Sequence, residues 1–211
     1  MHDYRKIQPQ DPIVFEKTRH IRIARFISNL LAPVTISLPA VVLIALYHTR
    51  DTFSALLYSA LTLFFLSLGP MAYILVGMRM GKISDIDISR RHERVGPFLF
   101  GLASIALGLM ALTFTNGPGT LKTLLLISAI SGMLMMLITF WWKISLHAST
   151  LAGALTFLTA LYGYVMLPLF TLLIMVSWSR VVLRRHTVPQ VIAGAIVSIV
   201  LTSIILKLRG L

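Results

Sequence analysis

Long apolar runs alternate with short polar breaks from about residue 26 to the end of the chain. A helix needs about 20 apolar residues to cross the roughly 30 Å hydrocarbon core of a bilayer. By that measure the first span is expected over about 26–47, kinked by Pro33 and Pro39, which membrane helices tolerate. His48 to Thr52 is a short turn, and a second span follows over about 53–78. The stretch from Arg79 to Gly96 is the most polar interior segment. A third span is expected over 97–115, and Asn116-Gly117-Pro118-Gly119 is a strong turn signal. A fourth covers about 121–142 and ends on Trp141-Trp142-Lys143, the composition of an interfacial anchor.

Residues 148–178 are predominantly apolar and carry no charge. As one helix they would measure roughly 46 Å at 1.5 Å per residue, too long for the bilayer core. Two short helices turning near Tyr162-Gly163-Tyr164 and Pro168 fit better, before a last span over about 188–206. The expected fold is an all-α, polytopic transmembrane bundle of about seven spans, or six if 148–178 is unbroken. Residues 1–25 form a polar, basic arm in which Pro9 and Pro12 should break any early helix, and 26–211 form a single domain. The arm has no apolar stretch of signal-peptide type, so the first span is expected to direct insertion.

Composition agrees with this pattern. Of 211 residues 57% are hydrophobic and 12% charged, with a mean hydropathy of +0.86, against about 25% charged in soluble domains. The absence of cysteine excludes disulfides and thiolate metal ligands. On a seven-span topology fifteen of the nineteen Lys and Arg fall on the side of the N-terminus, and four on the other. The populous side is therefore expected to be cytoplasmic. The net charge of +12 flanks hydrophobic spans, so membrane lipids are the expected partners and nucleic acid is not.

Three polar clusters reach that same side: Lys82 to Pro97, Lys143 to His147, and Ser179 to His186 with Gln190 beyond. They contain fixed cations, a serine and two histidines at helix ends, the groups that phosphoryl transfer requires. Arginine and lysine neutralise non-bridging oxygens. One imidazole can attack phosphorus while another protonates the leaving group. Taken singly, either histidine could equally be an interfacial residue at a helix end. No HExxH, Walker A or GxSxG motif is present.

Ser179-Arg180, five residues and then His186 have the spacing of Ser-Arg-x5-His, and Ser145-x-His147 has that of Pro-Ser-Gly-His. In these motifs the chain resembles the type-2 phosphatidic acid phosphatase family over about 82–190. The resemblance implies a metal- and cofactor-independent phosphatase of lipid phosphates or diphosphates. His186 would be the nucleophile and His147 the general acid, with Gln190 in the place of the family's aspartate behind the nucleophile. Lys82, Arg94, Ser145 and Arg180 would hold phosphate oxygens, with Arg91 as substitute for Arg94. The first motif, Lys-x6-Arg-Pro, is stretched here, and Ser89 stands seven residues after Lys82. Ile144 and Leu146 replace the proline and glycine of the second motif.

Asp85, Asp87 and Glu93 admit a second reading, a Mg²⁺ site presenting a prenyl diphosphate. Ion pairing with Arg90, Arg91 or Arg94 is the simpler expectation. A third reading is a non-catalytic lipid-binding or transport protein on a degraded phosphatase scaffold. The sequence leaves the lipid tail and the oligomeric state open.

Overall fold

A computed structural model describes residues 12–49, 51–88 and 90–211, though not the side chains of 12–18, His48 and Arg91. Among the described residues the chain is all helical. Five helical stretches are long and apolar enough to cross a membrane, and a bent pair makes a sixth.

That bent pair comes first. Helix α1 spans Pro12–Leu30 and α2 spans Pro33–His48, and their axes meet at 40°. Pro12 does not break a helix, as expected from the sequence, but begins one. A proline at the first position of a helix sacrifices an N–H that has no helical partner anyway. Residues 12–25 of the expected arm are thus helical and run on into the first span; residues 1–11, including Pro9, lie outside the described residues. The bend sits just before Pro33, with Ala32 extended at φ −70°, ψ 151°. The ring of a following proline disfavours helical geometry there. Pro39 lies inside α2 without ending it.

The second stretch, Thr52–Arg79, comprises α3 (Thr52–Leu63), a π-helical turn over Phe64–Leu68 and α4 (Gly69–Arg79). Asp51 caps its start by accepting from the Ser54 N–H at 2.8 Å. The wide turn displaces backbone groups, and Ser104 of the next helix donates to the Phe65 carbonyl at 2.6 Å. Helix α5 is Val95–Phe114, and α6 is Gly119–Thr139 after the expected Asn116-Gly117 turn, where Asn116 takes φ +53°.

Residues 146–182 form one continuous helical stretch, but it doubles back. Helix α7 (Leu146–Tyr162) ends where Gly163 adopts φ +74°, a conformation costly for a residue with a Cβ. A 3₁₀ segment over Gly163–Phe170 carries the chain round into α8 (Thr171–Val182). Leu151 and Leu155 of α7 then pack in one cluster with Val176 of α8, which a straight rod could not do. The expected seven spans are reached only by counting these two arms separately. Helix α9 (Val188–Leu208) completes the bundle.

Helices α7 and α9 run parallel along a seam of small residues. The Ser145 N–H donates to the Gln190 carbonyl at 3.3 Å, and Ser149 and Ser198 share a hydrogen bond. A Cβ on Gly153 would touch Thr202, and one on Gly194 would lie 2.7 Å from the Ser145 carbonyl oxygen. Small residues every fourth position allow helices to approach closely in lipid, where apolar burial gives little drive to associate. The main core lies beyond this seam, around Ile44, Leu112, Leu121, Leu125 and Phe157.

Candidate active site

Three helices begin at one end of the bundle. Arg94 directly precedes α5, His147 lies in the first turn of α7, and His186 precedes α9 by two residues. Helix N-termini present unpaired N–H groups and a partial positive charge, so their convergence favours an anion. The chain arrives there from α8 through a sharp stop. Arg184 takes φ +54°, and the N–H groups of Arg185 and His186 both donate to the Arg180 carbonyl. This left-handed closing turn folds His186 back beside Arg180.

Asp87, Arg94, His147, Arg180 and His186 line a single cavity of about 800 Å³, within the size range of small-molecule sites. Away from this polar end its walls are mainly apolar, with Val41, Leu66, Ile74, Leu124 and Phe157 among them. Arg94 and Arg180 are each only 3% exposed. Arg94 donates through Nε to the Ile88 carbonyl at 2.9 Å and through Nη1 to the Ile144 carbonyl at 3.4 Å, tying two of the polar loops together. Arg180 donates through Nη1 to Ser28 Oγ at 2.8 Å and to Asp87 Oδ2 at 3.1 Å. Its buried Nε–H has no partner among the described residues.

His186 and Gln190 form a defined pair. Gln190 Oε1 accepts from the Thr187 backbone N–H at 3.1 Å and lies 3.2 Å from His186 Nδ1. A backbone N–H can only donate, so the amide atom facing it is the oxygen. His186 Nδ1 must then carry the proton, which leaves a lone pair on Nε2. Burial first, and then the Arg180, Lys143 and Arg94 charges, push the His186 pKa down to about 3. The ring is therefore neutral, the form a nucleophile requires.

The remaining expected residues fall in different places. Lys82 is exposed in the turn after α4 and does not line the cavity. Ser145 is fully buried but caps α7, accepting from the Ala148 N–H at 3.4 Å, and is also absent from the cavity wall. The Arg91 side chain and Ser89 lie outside the described residues. Lys143 does not line the cavity either, and its place after two tryptophans reads as an anchor. Burial, and then Arg94, Arg180 and Arg185, lower its pKa, placing it in the same cationic field.

Glu93 pairs with Arg90 as expected, and Asp85 and Asp87 pair with other arginines. Glu93 lies 3.5 Å from Arg90 and accepts from Ser84, whereas Asp87 pairs with Arg180 and lies 3.7 Å from Arg185. Asp85 is 3.9 Å from Arg185. Carboxylates facing guanidinium groups are poorly disposed to hold Mg²⁺, and among the described residues no group of three or more His, Asp or Glu is placed to bind a metal. Among the described residues, the group paired with His186 Nδ1 is the Gln190 amide rather than a carboxylate. Compared with models of known families, with curated proteins and with solved structures, the chain has no match.

Proposed function

We propose that the chain is a membrane phosphatase of lipid phosphates or diphosphates that works through a phosphohistidine. The observation that carries this reading is that His186, paired through Nδ1 with Gln190, lines one cavity with His147, Arg94 and Arg180. The phosphoryl group would sit at the polar end and the acyl or prenyl tail along the apolar walls. His186 Nε2 attacks phosphorus as the bond to the leaving oxygen breaks. His147, as imidazolium, gives that oxygen a proton, and then takes one back from the water that attacks the phosphohistidine, releasing inorganic phosphate and regenerating both histidines. Arg94 and Arg180 stabilise the charge on the transferring oxygens, and preorganised charges of this kind are often the largest catalytic contribution. In this scheme Lys143 supplies the ammonium group that the motif comparison assigned to Lys82. The site would face the cytoplasm.

The test is phosphate release by purified protein from a panel of lipid mono- and diphosphates, with and without EDTA. Turnover that survives the chelator and disappears in His186→Ala is expected. His147→Ala should be impaired most with poor leaving groups, because an acid matters little when the leaving oxygen is already stable. Near-wild-type turnover in His186→Ala would eliminate the mechanism. A loss of all turnover to EDTA would favour the Mg²⁺-dependent reading. No turnover of any lipid phosphate would favour the non-catalytic one.

A further inference from the structure

The Arg180 guanidinium already holds an anion, and it belongs to the protein. Asp87 Oδ2 lies 3.1 Å from Arg180 Nη1 and 3.7 Å from Arg185 Nε, on the wall of the cavity shared by His147 and His186. The segment that delivers it is held in place rather than merely adjacent. Ile83 and Ile88 are buried, the Asp87 N–H donates to Asp85 Oδ1 at 3.0 Å, and the Ile88 carbonyl is gripped by Arg94. Ile88 takes φ +47°, an unfavourable conformation for a β-branched residue. Strained residues of this kind cluster at ligand clamps and switch segments. The carboxylate also leaves the Arg180 Nε–H unused. A tetrahedral phosphoryl group, with more oxygens and more charge, can engage a donor that Asp87 does not.

We propose that Asp87 is a built-in competitor for the phosphoryl site, a specificity residue that occupies Arg180 when the site is empty and yields it to a phosphorylated headgroup. Its return to Arg180 would then help expel inorganic phosphate after turnover. A weakly charged headgroup would not displace it, so the residue selects for the dianionic phosphate. This rests on reading the cavity as a phosphate site, but the competition can be measured without turnover.

The experiment uses the full chain in detergent micelles with inorganic phosphate as probe. Phosphate affinity is measured by calorimetry and by the rise in melting temperature, for wild type, Asp87→Asn and Asp85→Asn. Asp87→Asn should bind phosphate at least about tenfold more tightly than wild type, a difference of about 1.4 kcal/mol. Its melting temperature should start lower, because Arg180 loses its partner, and rise more with phosphate. Asp85→Asn, which keeps an oxygen to accept from the Asp87 N–H and weakens a 3.9 Å contact to Arg185, should change affinity by less than about threefold. Unchanged or weaker phosphate binding in Asp87→Asn would overturn the proposal. If that variant does not fold, hydrogen exchange in the wild type decides. Phosphate should speed exchange of the Asp87 amide, and slower or unaltered exchange sinks the idea. Tighter phosphate binding without turnover of any lipid phosphate would reject the phosphatase and keep the competitor. Turnover with no gain in phosphate affinity would do the reverse.

Discussion

An imidazole close to guanidinium groups and out of water loses its proton readily, and His186 meets both conditions. Its pKa is moved from the ordinary 6.5 to about 3. The folded value is below the unfolded one, so the stability gained from the neutral ring is complete above about 6.5 and drains as pH falls towards 3. In a histidine-labelled sample, the resonance that vanishes in His186→Ala should not move between pH 7 and pH 5. A midpoint near the ordinary value would mean that the ring is hydrated and the cationic field weak. Behind the ring, Gln190 supplies a hydrogen-bond acceptor but no charge for the cationic ring that a phosphohistidine would have. Charge-assisted hydrogen bonds are roughly twice as strong as neutral ones. An aspartate there should stabilise phosphorylation by about 2–4 kcal/mol, by analogy with other preorganised groups. That corresponds to a factor on the order of 30 to 1000 in rate. Gln190→Asp should therefore accelerate single-turnover phosphoenzyme formation, and no gain would show that charge at this position is not limiting. The two lysines offer a sharper contrast. Lys143→Ala should lower kcat/KM by about tenfold, the equivalent of one charge-assisted contact of roughly 1.4 kcal/mol. Lys82→Ala, in an exposed turn, should change it by less than about twofold. The opposite ranking would return the phosphate-binding role to Lys82.

Two helices decide whether His147 and His186 meet, since one begins α7 and the other precedes α9. Their parallel register rests on Ser145, Ser149 and Gly153 facing Gly194, Ser198 and Thr202. A methyl group on Gly194 would meet the Ser145 carbonyl at 2.7 Å, a backbone atom that cannot turn aside. Gly194→Ala should cost about 1–3 kcal/mol as an overpacked contact and displace the start of α7. Activity should fall more than the melting temperature alone would suggest. A Cβ on Gly153 meets its nearest neighbour at 3.4 Å, ordinary contact, so Gly153→Ala should fold and turn over much as wild type. Equal tolerance of both would show that the register is held elsewhere. This seam is also where the sequence was hardest to interpret. The spans were legible because apolar length is a one-dimensional property, and the Asn116-Gly117 turn because its chemistry is local. The hairpin between α7 and α8 could be inferred from length and from Tyr162-Gly163. Pairing of α7 with α9 could not, since serines and glycines four apart occur on many membrane helices and carry no address. For the same reason the sequence could not show that Ser145 caps α7 or that Lys143 lies in the field of Arg94 and Arg180. Capping and electrostatic reach depend on where a loop ends in space.

The molecule as a whole is polarised along the bundle axis. One end gathers Arg94, Lys143, Arg180, Arg185 and both site histidines. The other presents the Asn116–Gly119 turn and Arg209, which line a separate pocket of about 550 Å³. The cationic end was foreseeable from charge counting, because basic residues near span ends favour the cytoplasm. Yet the same residues can be interpreted in two ways. Arg94 and Arg180, buried at the cavity wall, serve the site whichever leaflet it faces, so they give no independent vote on topology. The basic residues of α1 do, since Arg19, Arg22 and Arg25 do not line the cavity. They lie on the helix that supplies Ser28 to Arg180 and so belong to the same end of the bundle. A cytoplasmic site is therefore the expectation from residues with no catalytic reason to be there. The chain contains no cysteine, which makes the experiment free of background. Lys82 and Gly119 are both exposed, at opposite ends of the bundle. Lys82→Cys should react with a membrane-impermeant maleimide only after the membrane is breached, whereas Gly119→Cys should react in intact cells. Reaction of Lys82→Cys in intact cells would reverse the topology. The cavity would then open to the outer leaflet, and its substrate would have to be a lipid phosphate generated or released on that side, with inorganic phosphate discharged outside the cell.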